Sequence, residues 1–291
     1  MTAAETTAAA PADPRASARK RSTLLYRIFR PLRVVLAGTS FLGAWIGAFV
    51  LATVIFPLAR WRRRRAPAVE RAAACQRWLQ RSFLLLFDYM RLCHLIRFNP
   101  RGLDASTPGP RFVMVANHPT LVDHGALCAM FGRLVCVAKP LLFRVPMVGP
   151  VLRGCFYLEG GEVEGLAAGV VVNHALDRLA QSMPMLVFPE GTRSPAGGMR
   201  PFRRGPFEIA CRADVPVVPV LIRCDPPALG KGTPWYDIPS RSAEFTVTRL
   251  PVMSPAAFGR DASSMMKACE ATFRRHLGLS DVSEARTSTK P

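Results

Sequence analysis

One long apolar run near the start of the chain stands apart from the shorter ones that follow. Val34–Ala59 comprises 26 residues without a charge. As a helix it would be about 39 Å long, more than the hydrocarbon core of about 30 Å that a membrane presents. The pattern predicts a single membrane-spanning helix. Gly38, Gly43, Gly47 and Pro57 leave open a second interpretation, a re-entrant helical hairpin.

Shorter elements follow. Val69–Phe98 has an amphipathic pattern typical of a helix or helix pair, and the Pro- and Gly-rich segment Asn99–Arg111 is typical of a linker. Short apolar runs then alternate with helical periodicity, which predicts an α/β domain with a central mixed sheet flanked by helices. The predicted strands are Phe112–Val115, Leu134–Val137, Phe156–Leu158, Met185–Phe188, Val217–Ile222 and Phe245–Leu250. The predicted helices are Val122–Met130, Val163–Gln181, Phe207–Ala213 and Ala262–Leu277.

These patterns divide the chain into five parts. We expect a disordered basic tail over residues 1–22 and a membrane segment with basic flanks over 23–66. An amphipathic helical region over 67–99 precedes the α/β domain, which spans 100–279. A second disordered tail is expected over 280–291.

The charge points to a membrane as the anionic partner. The 291 residues carry a net charge of +19, and residues 1–70, which surround the apolar run, contribute +9 of it. Basic residues on both sides of an apolar segment favour anionic membrane lipids. No RNA-binding, zinc-finger or basic-helix pattern is present, so no nucleic-acid partner is predicted. The eight cysteines include no C-x-x-C pair, and no metal site is predicted.

The first group of residues with catalytic chemistry is Asn117-His118-Pro119-Thr120-Leu121-Val122-Asp123, between an apolar strand and an apolar helix. Asp123 can reach back to one imidazole nitrogen of His118 and leave the other free as a base. No G-x-S-x-G nucleophile motif accompanies it. The pattern fits a His–Asp dyad that deprotonates a substrate hydroxyl directly. It fits equally an Asp that only caps the helix beside an unrelated His.

The second group, Phe188-Pro189-Glu190-Gly191-Thr192-Arg193-Ser194, also follows an apolar strand. Gly191 permits a tight turn, and Arg193 offers a planar cation suited to a phosphate. Glu190 is placed to orient Arg193 or a substrate hydroxyl. Taken alone, the segment fits a surface turn carrying a solvated ion pair better than a binding site.

Together, the N-H-x4-D and F-P-E-G-T-R-S motifs resemble the glycerolipid acyltransferase family, which includes the 1-acylglycerol-3-phosphate acyltransferases. The resemblance extends from Phe112 to Ile222. It implies that His118 is the general base and that Asp123 orients it. The implied substrate-binding residues are Asn117, Lys139, Glu190, Gly191, Thr192, Arg193 and Arg204, with Lys139 and Arg204 as phosphate contacts.

The resemblance also implies the partners of the reaction. The acyl donor would be acyl-CoA or acyl carrier protein, the acceptor a lysophospholipid, and no cofactor would be needed. The expected location is the inner membrane of a bacterium, with the catalytic domain facing the cytoplasm.

One segment departs from the family pattern. Gly154–Gly161 has a glycine where an Arg that contacts the acceptor phosphate usually ends a strand. This leaves open a non-glycerophosphate acceptor of the ornithine-lipid or aryl-polyene-lipid type, the latter supported by similarity around Asp225-Pro226-Pro227. A catalytically inactive lipid-binding protein on the same scaffold is the alternative from another class.

Overall fold

A long N-terminal helix precedes the catalytic domain. The structure is a computed structural model that describes residues 14–99, 106–160 and 166–279, with side chains from residue 29 onward and, after the second gap, from residue 169. Helix α1 (Pro14–Val50) begins inside the segment predicted as a disordered tail, so that prediction differs from the structure over residues 14–22. Ala, Arg and Lys in this stretch favour helix, and Pro14 stands at its start, where proline is tolerated. Residues 1–13 and the predicted tail 280–291 lie outside the described residues.

The apolar segment does not turn back on itself. A π-helical turn (Leu51–Ile55) joins α1 directly to α2 (Phe56–Arg62). This turn accommodates Pro57, which has no N–H to donate, at the start of α2. A re-entrant hairpin inside Val34–Ala59 is therefore not formed. Phe29–Arg62 is, by length and composition, one helical segment sufficient to cross a membrane.

The amphipathic region is one helix followed by a strand. After a turn at residues 63–67, helix α3 (Ala68–Leu92) packs against α1 and α2. Strand β1 (Ile96–Arg97) then pairs with a strand near the C-terminus and belongs to the sheet. The predicted boundary at residue 100 separates this strand from its sheet, because long-range pairing leaves no local signal. Residues 100–105 of the predicted linker lie outside the described part of the chain.

The central sheet has seven strands in the order β1-β7-β6-β2-β5-β3-β4. Neighbouring strands are parallel except β6 and β7, which are antiparallel. The predicted mixed α/β sheet is therefore confirmed. The remaining strands are β2 (Val113–Ala116), β3 (Val135–Ala138), β4 (Leu158–Glu159), β5 (Met185–Val187), β6 (Val217–Asp225) and β7 (Ala243–Arg249).

Two layers of helices cover the sheet. One face packs against the N-terminal helices, α4 (Asp123–Phe131) and α6 (Val148–Gly154). The other face packs against α7 (Leu166–Ala180), α8 (Gly205–Ala213) and α9 (Ala262–Leu277). Each buried strand supplies alternate side chains to the two cores, as Val113 and Met114 of β2 do.

Several boundaries differ from the predictions. The short helices α5 (Pro140–Arg144) and α6 were not predicted, because each has fewer than two full turns of periodic pattern. The predicted strand Phe156–Leu158 starts later, at Leu158, since Phe156 adopts a left-handed conformation with φ of 63°. Residues 163–165 of the predicted helix Val163–Gln181 lie outside the described residues.

Strands β2 to β6 run in the same direction and end at the same edge of the sheet, so the segments that follow them meet there. The segment between β6 and β7, residues 226–242, crosses this edge and reaches α1; we call it the strap. Trp235 of the strap packs on Phe41 of α1, with ring centroids 5.7 Å apart. Arg33 of α1 donates to the Pro239 carbonyl of the strap. The strap therefore connects the loops after β2 and β5 to the N-terminal helix.

Candidate active site

His118 and Asp123 form the predicted pair. His118 follows β2 and Asp123 is the first residue of α4, and His118 Nδ1 lies 2.7 Å from Asp123 Oδ2. The Thr120 N–H also donates to Oδ2 and the Thr120 hydroxyl to Oδ1, at 2.7 and 2.5 Å. The carboxylate is thus held in one orientation, at a helix start where negative charge is favourable. The interpretation of Asp123 as a cap beside an unrelated His does not match this geometry.

The other ring nitrogen of His118 is available. The imidazole stacks on Phe188, the residue after β5, with centroids 4.2 Å apart and planes inclined by 20°. The side chain is 20% exposed, and Nε2 has no hydrogen-bond partner in the described part of the chain. Asp123 contacts Nδ1 and Phe188 packs on the ring face, so the orientation of the imidazole is fixed. Nε2 is therefore placed to accept a proton.

The electrostatics of the pair follow from burial. Asp123 is fully buried, and this burial raises the pKa of its carboxyl, while the hydrogen bonds and charge of His118 and the bonds from Thr120 act in the opposite direction. A buried carboxylate beside an imidazole stabilises the imidazolium once it forms. The structure therefore couples the two groups electrostatically.

Asn117 is the first site residue whose position differs from the prediction. Its Nδ2 donates to the Ile222 carbonyl at 2.9 Å and its Oδ1 accepts the Ile222 N–H at 2.7 Å. The side chain is buried and both of its polar groups are occupied by the β6 backbone. Asn117 thus anchors the His118 loop to the sheet, and a substrate contact through this amide is not what the structure shows.

Glu190 has an internal role as well. Its Oε1 accepts the His118 N–H at 3.0 Å and the Ser194 hydroxyl at 2.6 Å, and its Oε2 accepts the Arg200 N–H at 2.8 Å. Only 3% of the residue is exposed. Ser194 N–H also donates to the His118 carbonyl at 2.7 Å. Glu190 therefore joins the two motifs to each other, and it does not pair with Arg193 as predicted.

Arg193 holds the strap. Its Nη1 donates to the carbonyls of Leu229 and Gly230 at 3.0 and 2.8 Å. The Leu229 carbonyl also accepts the N–H of Leu121, next to the dyad. The Nε and Nη2 donors of Arg193 have no partner among the residues that the structure describes. The predicted phosphate fork is thus partly committed to a structural contact.

Gly191 and Thr192 occupy the turn between these two residues. Gly191 has φ of +69°, a left-handed conformation that favours glycine. A Cβ at this position would lie 2.8 Å from the guanidinium of Arg203, which therefore packs over the turn. Arg203 was not among the predicted residues, since the pair Arg203-Arg204 carries no sequence signal that separates its members.

Two of the predicted phosphate contacts lie apart from the dyad. Arg204 precedes α8, pairs with Glu208 at 3.0 Å and is 59% exposed. Lys139 is exposed at the end of β3, and the next backbone bond of that ladder runs from Gly160 N–H to the Ala138 carbonyl. Lys139 therefore lies beside Gly160, the glycine that ends β4.

Packing against the neighbouring strand explains why position 160 is a glycine. A Cβ there would lie 2.4 Å from Cγ1 of Val137, so the structure as it stands has no room for a side chain. The family pattern places an Arg at this point, and here the neighbouring strand fills the space.

Comparison with known proteins agrees with the fold and the motifs. The acyltransferase family model matches residues 97–223, a range that contains both motifs. The chain is 31% identical to human 1-acyl-sn-glycerol-3-phosphate acyltransferase alpha over 63% of its own length and 61% of the human protein. Over the region that contains both motifs, the chain is therefore similar to glycerolipid acyltransferases.

Other acyltransferases align similarly. Human 1-acyl-sn-glycerol-3-phosphate acyltransferase beta is 30% identical over 50% of this chain and 50% of its own length. The chain thus spans about half to three fifths of these relatives. The crystal structure of the 1-acyl-sn-glycerophosphate acyltransferase PlsC from Thermotoga maritima has a TM-score of 0.65 at 19% identity, covering 87% of this chain and 96% of that one. This likeness supports the fold.

Proposed function

We propose that the protein is a membrane-bound O-acyltransferase of phospholipid biosynthesis. It transfers an acyl chain from acyl-CoA or acyl carrier protein to the hydroxyl of a 1-acyl-sn-glycerol-3-phosphate-like lysophospholipid. The observation that carries the proposal is the contact between His118 and Asp123, which leaves His118 Nε2 without a protein partner in the described chain. The names of the relatives support the substrate class.

The proposed mechanism needs no covalent enzyme intermediate. His118 Nε2 accepts the proton of the acceptor hydroxyl as its oxygen bonds to the thioester carbonyl carbon. Asp123 stabilises the resulting imidazolium. When the tetrahedral intermediate collapses, the carbon–sulfur bond breaks, and the proton on Nε2 passes to the departing thiolate. The products are an ester and the carrier thiol, and no redox change occurs.

The acceptor phosphate would be bound by cations at the edge of the sheet. The remaining donors of Arg193 are the candidates next to the dyad, Lys139 stands beside Gly160, and Arg204 is engaged with Glu208. The packing at Gly160 favours a second acceptor class, because an Arg there would have to displace the Val137 side chain. In that alternative the same mechanism acylates a non-glycerophosphate lipid of the ornithine-lipid or aryl-polyene-lipid type.

The mode of membrane attachment follows from how α1 and α2 dock. Arg33 near one end of this helical segment binds the His94 carbonyl, and Phe56 near the other end packs on Gly154. These contacts are 23 residues apart, about 35 Å along a helix. A helix that lies on the domain over this length cannot cross the bilayer while the domain stays outside it. We therefore propose that it lies in one leaflet, on the cytoplasmic face of a bacterial inner membrane.

Two substitutions test the proposed reaction. His118→Ala and Asp123→Asn are expected to lower kcat by about 10²- to 10⁴-fold, because each disables the base. The assay offers purified protein acyl-CoA, acyl carrier protein and a panel of lyso-acceptors. Equal activity of His118→Ala and the wild type would contradict the dyad. Lipid binding by the wild type without turnover of any donor would favour an inactive lipid-binding protein.

A further inference from the structure

The strap separates two cavities that meet the catalytic loop from different sides. An apolar cavity of about 60 Å³ lies between the strap and α1, with Phe41 and Trp235 in its walls. A larger cavity of about 340 Å³ lies on the other side of the strap, between residues 194–198 and the end of α9. Thr120, Cys224 and Ala228 contribute to the walls of both. The larger one, which we call the distal cavity, is lined by no described residue of α1 or α2.

The distal cavity abuts the catalytic loops. Asn117 and Pro119, on either side of His118, form part of its wall, and so does Ser194 of the second motif. Ala196 and Lys231 stand on its rim and are exposed to solvent. A volume of this size is within the range of small-molecule sites. The distal cavity therefore extends from bulk solvent to the backbone that carries the base.

The distal cavity has few charged residues in its wall. Arg223 donates to the His276 carbonyl, and Asp225 pairs with Arg241 at 2.5 Å, so both charges have partners within the protein. Lys231 has no ion-pair partner in the described part of the chain. The walls are otherwise mostly apolar and glycine-rich, including Gly197, Gly198 and Gly230. Such a site suits a long uncharged ligand with one anionic group at its outer end.

We propose that the distal cavity binds the phosphopantetheine arm of the acyl donor, with Lys231 at its phosphate. The inference rests on the proposed acyl transfer. The arm is an uncharged chain of two amides that ends in a thioester on one side and a phosphate on the other. Acyl-CoA and acyl carrier protein share it, so one cavity serves both. A water-soluble carrier reaches the base from this side, while the lipid acceptor arrives from the side of α1.

Cavity-filling and charge variants test this assignment. Ala196→Trp is expected to raise the donor KM and the Kd for CoA by about tenfold or more, with the acceptor KM unchanged. Lys231→Glu is expected to weaken binding of 4′-phosphopantetheine about threefold and to leave binding of unphosphorylated pantetheine unchanged. The matched controls are Ala256→Trp and Lys267→Glu, both at exposed positions outside the cavity. Thermal unfolding in the same detergent checks that every variant is folded.

Calorimetric binding of CoA and of holo-acyl carrier protein separates this inference from the proposed reaction. If Ala196→Trp loses CoA binding and Ala256→Trp keeps it, the cavity assignment is supported. This holds even if no donor is turned over, because absence of turnover would overturn only the proposed reaction. Undiminished CoA binding in folded Ala196→Trp would overturn the cavity assignment. So would a wild type that binds neither CoA nor the holo-carrier, or a cavity variant whose acceptor KM alone rises. If Ala196→Trp weakens binding of acyl-CoA and of acyl carrier protein equally, the cavity binds the phosphopantetheine arm that both donors share. The donor that supports turnover is then the one that the enzyme uses.

Discussion

At the scale of single residues, Gly160 shows how packing sets the composition of a site. The family pattern has an Arg at this position, and a reading of the sequence alone can only record its absence. The structure gives the reason, since the Val137 side chain occupies the space that a Cβ would need. Lys139 stands beside it at the end of the neighbouring strand. A cation thus stands beside this point on the residue that follows β3, and β4 carries none.

Restoring the Arg tests this explanation. Gly160→Arg is expected to lower the free energy of unfolding by about 1–3 kcal/mol, because it overpacks the contact with Val137. Adding Val137→Ala should recover part of this loss, which a double-mutant cycle in urea would measure. Gly169→Arg is the control, since a Cβ there meets no atom within 4 Å. If Gly160→Arg and Gly169→Arg were equally stable, the packing explanation would be wrong.

His124, next to the dyad, predicts a pH dependence of stability. It lies 2.8 Å from the Tyr157 hydroxyl, and burial lowers its pKa from 6.5 to about 4. The unfolded chain therefore binds a proton that the folded chain does not between these values, and stability present above pH 6.5 is lost as the pH falls towards 4. The expected contribution is about 3 kcal/mol. His124→Phe should flatten this part of the pH profile of unfolding, whereas His174→Phe, at an exposed position, should leave it unchanged.

At the scale of elements, the strap explains why the second motif contains Arg193. A planar guanidinium donates to two successive carbonyls, of Leu229 and Gly230, and thereby ties the loop after β5 to the segment after β6. Leu229 in turn accepts the Leu121 N–H next to the dyad. The motif residues Asn117, Glu190 and Arg193 thus hold backbone segments in place around one imidazole.

Arg193→Lys tests whether Arg193 acts through its hydrogen bonds to the strap or only through its positive charge. Lysine keeps the positive charge but replaces the rigid planar guanidinium, whose Nη1 contacts both carbonyls, with a flexible ammonium, so kcat/KM is expected to fall about tenfold. Limited proteolysis should also cut the strap faster than in the wild type. Arg204→Lys changes an exposed ion pair and should have little effect on either measurement. A variant with normal activity and a protected strap would show that the tether is dispensable.

At the scale of the whole molecule, the N-terminal helix is part of the catalytic domain's own packing. Phe56 is buried against Gly154, and Ala37 and Leu51 join the same core. On the outer face, Leu42, Trp45 and Phe49 are exposed. A helix with one face in the protein core and the other exposed and apolar is suited to lie within one leaflet.

Removal of the outer aromatic residues should weaken membrane binding without unfolding the protein. Trp45→Ser combined with Phe49→Ser is expected to lower partitioning into anionic vesicles by at least about tenfold, since each buried aromatic side chain contributes about 1.5–3 kcal/mol. Val252→Ser, an exposed apolar position elsewhere, is the control. Protease protection in sealed vesicles should find an N-terminal tag and the turn at residues 63–67 on the same side. Opposite sides would establish a spanning helix.

The sequence by itself determined the mixed α/β sheet and the two motifs, because these depend on local periodicity and on short spacings, whereas it left the pairing of His118 with Asp123 open until the structure showed the contact. Only the tertiary structure decided the roles of Asn117, Glu190 and Arg193, whose polar groups bind backbone from strands and loops distant in sequence. It also decided the place of β1 in the sheet and the course of the apolar helix along the domain. These features arise from long-range contacts, and a contact between distant segments leaves no periodic trace in either of them.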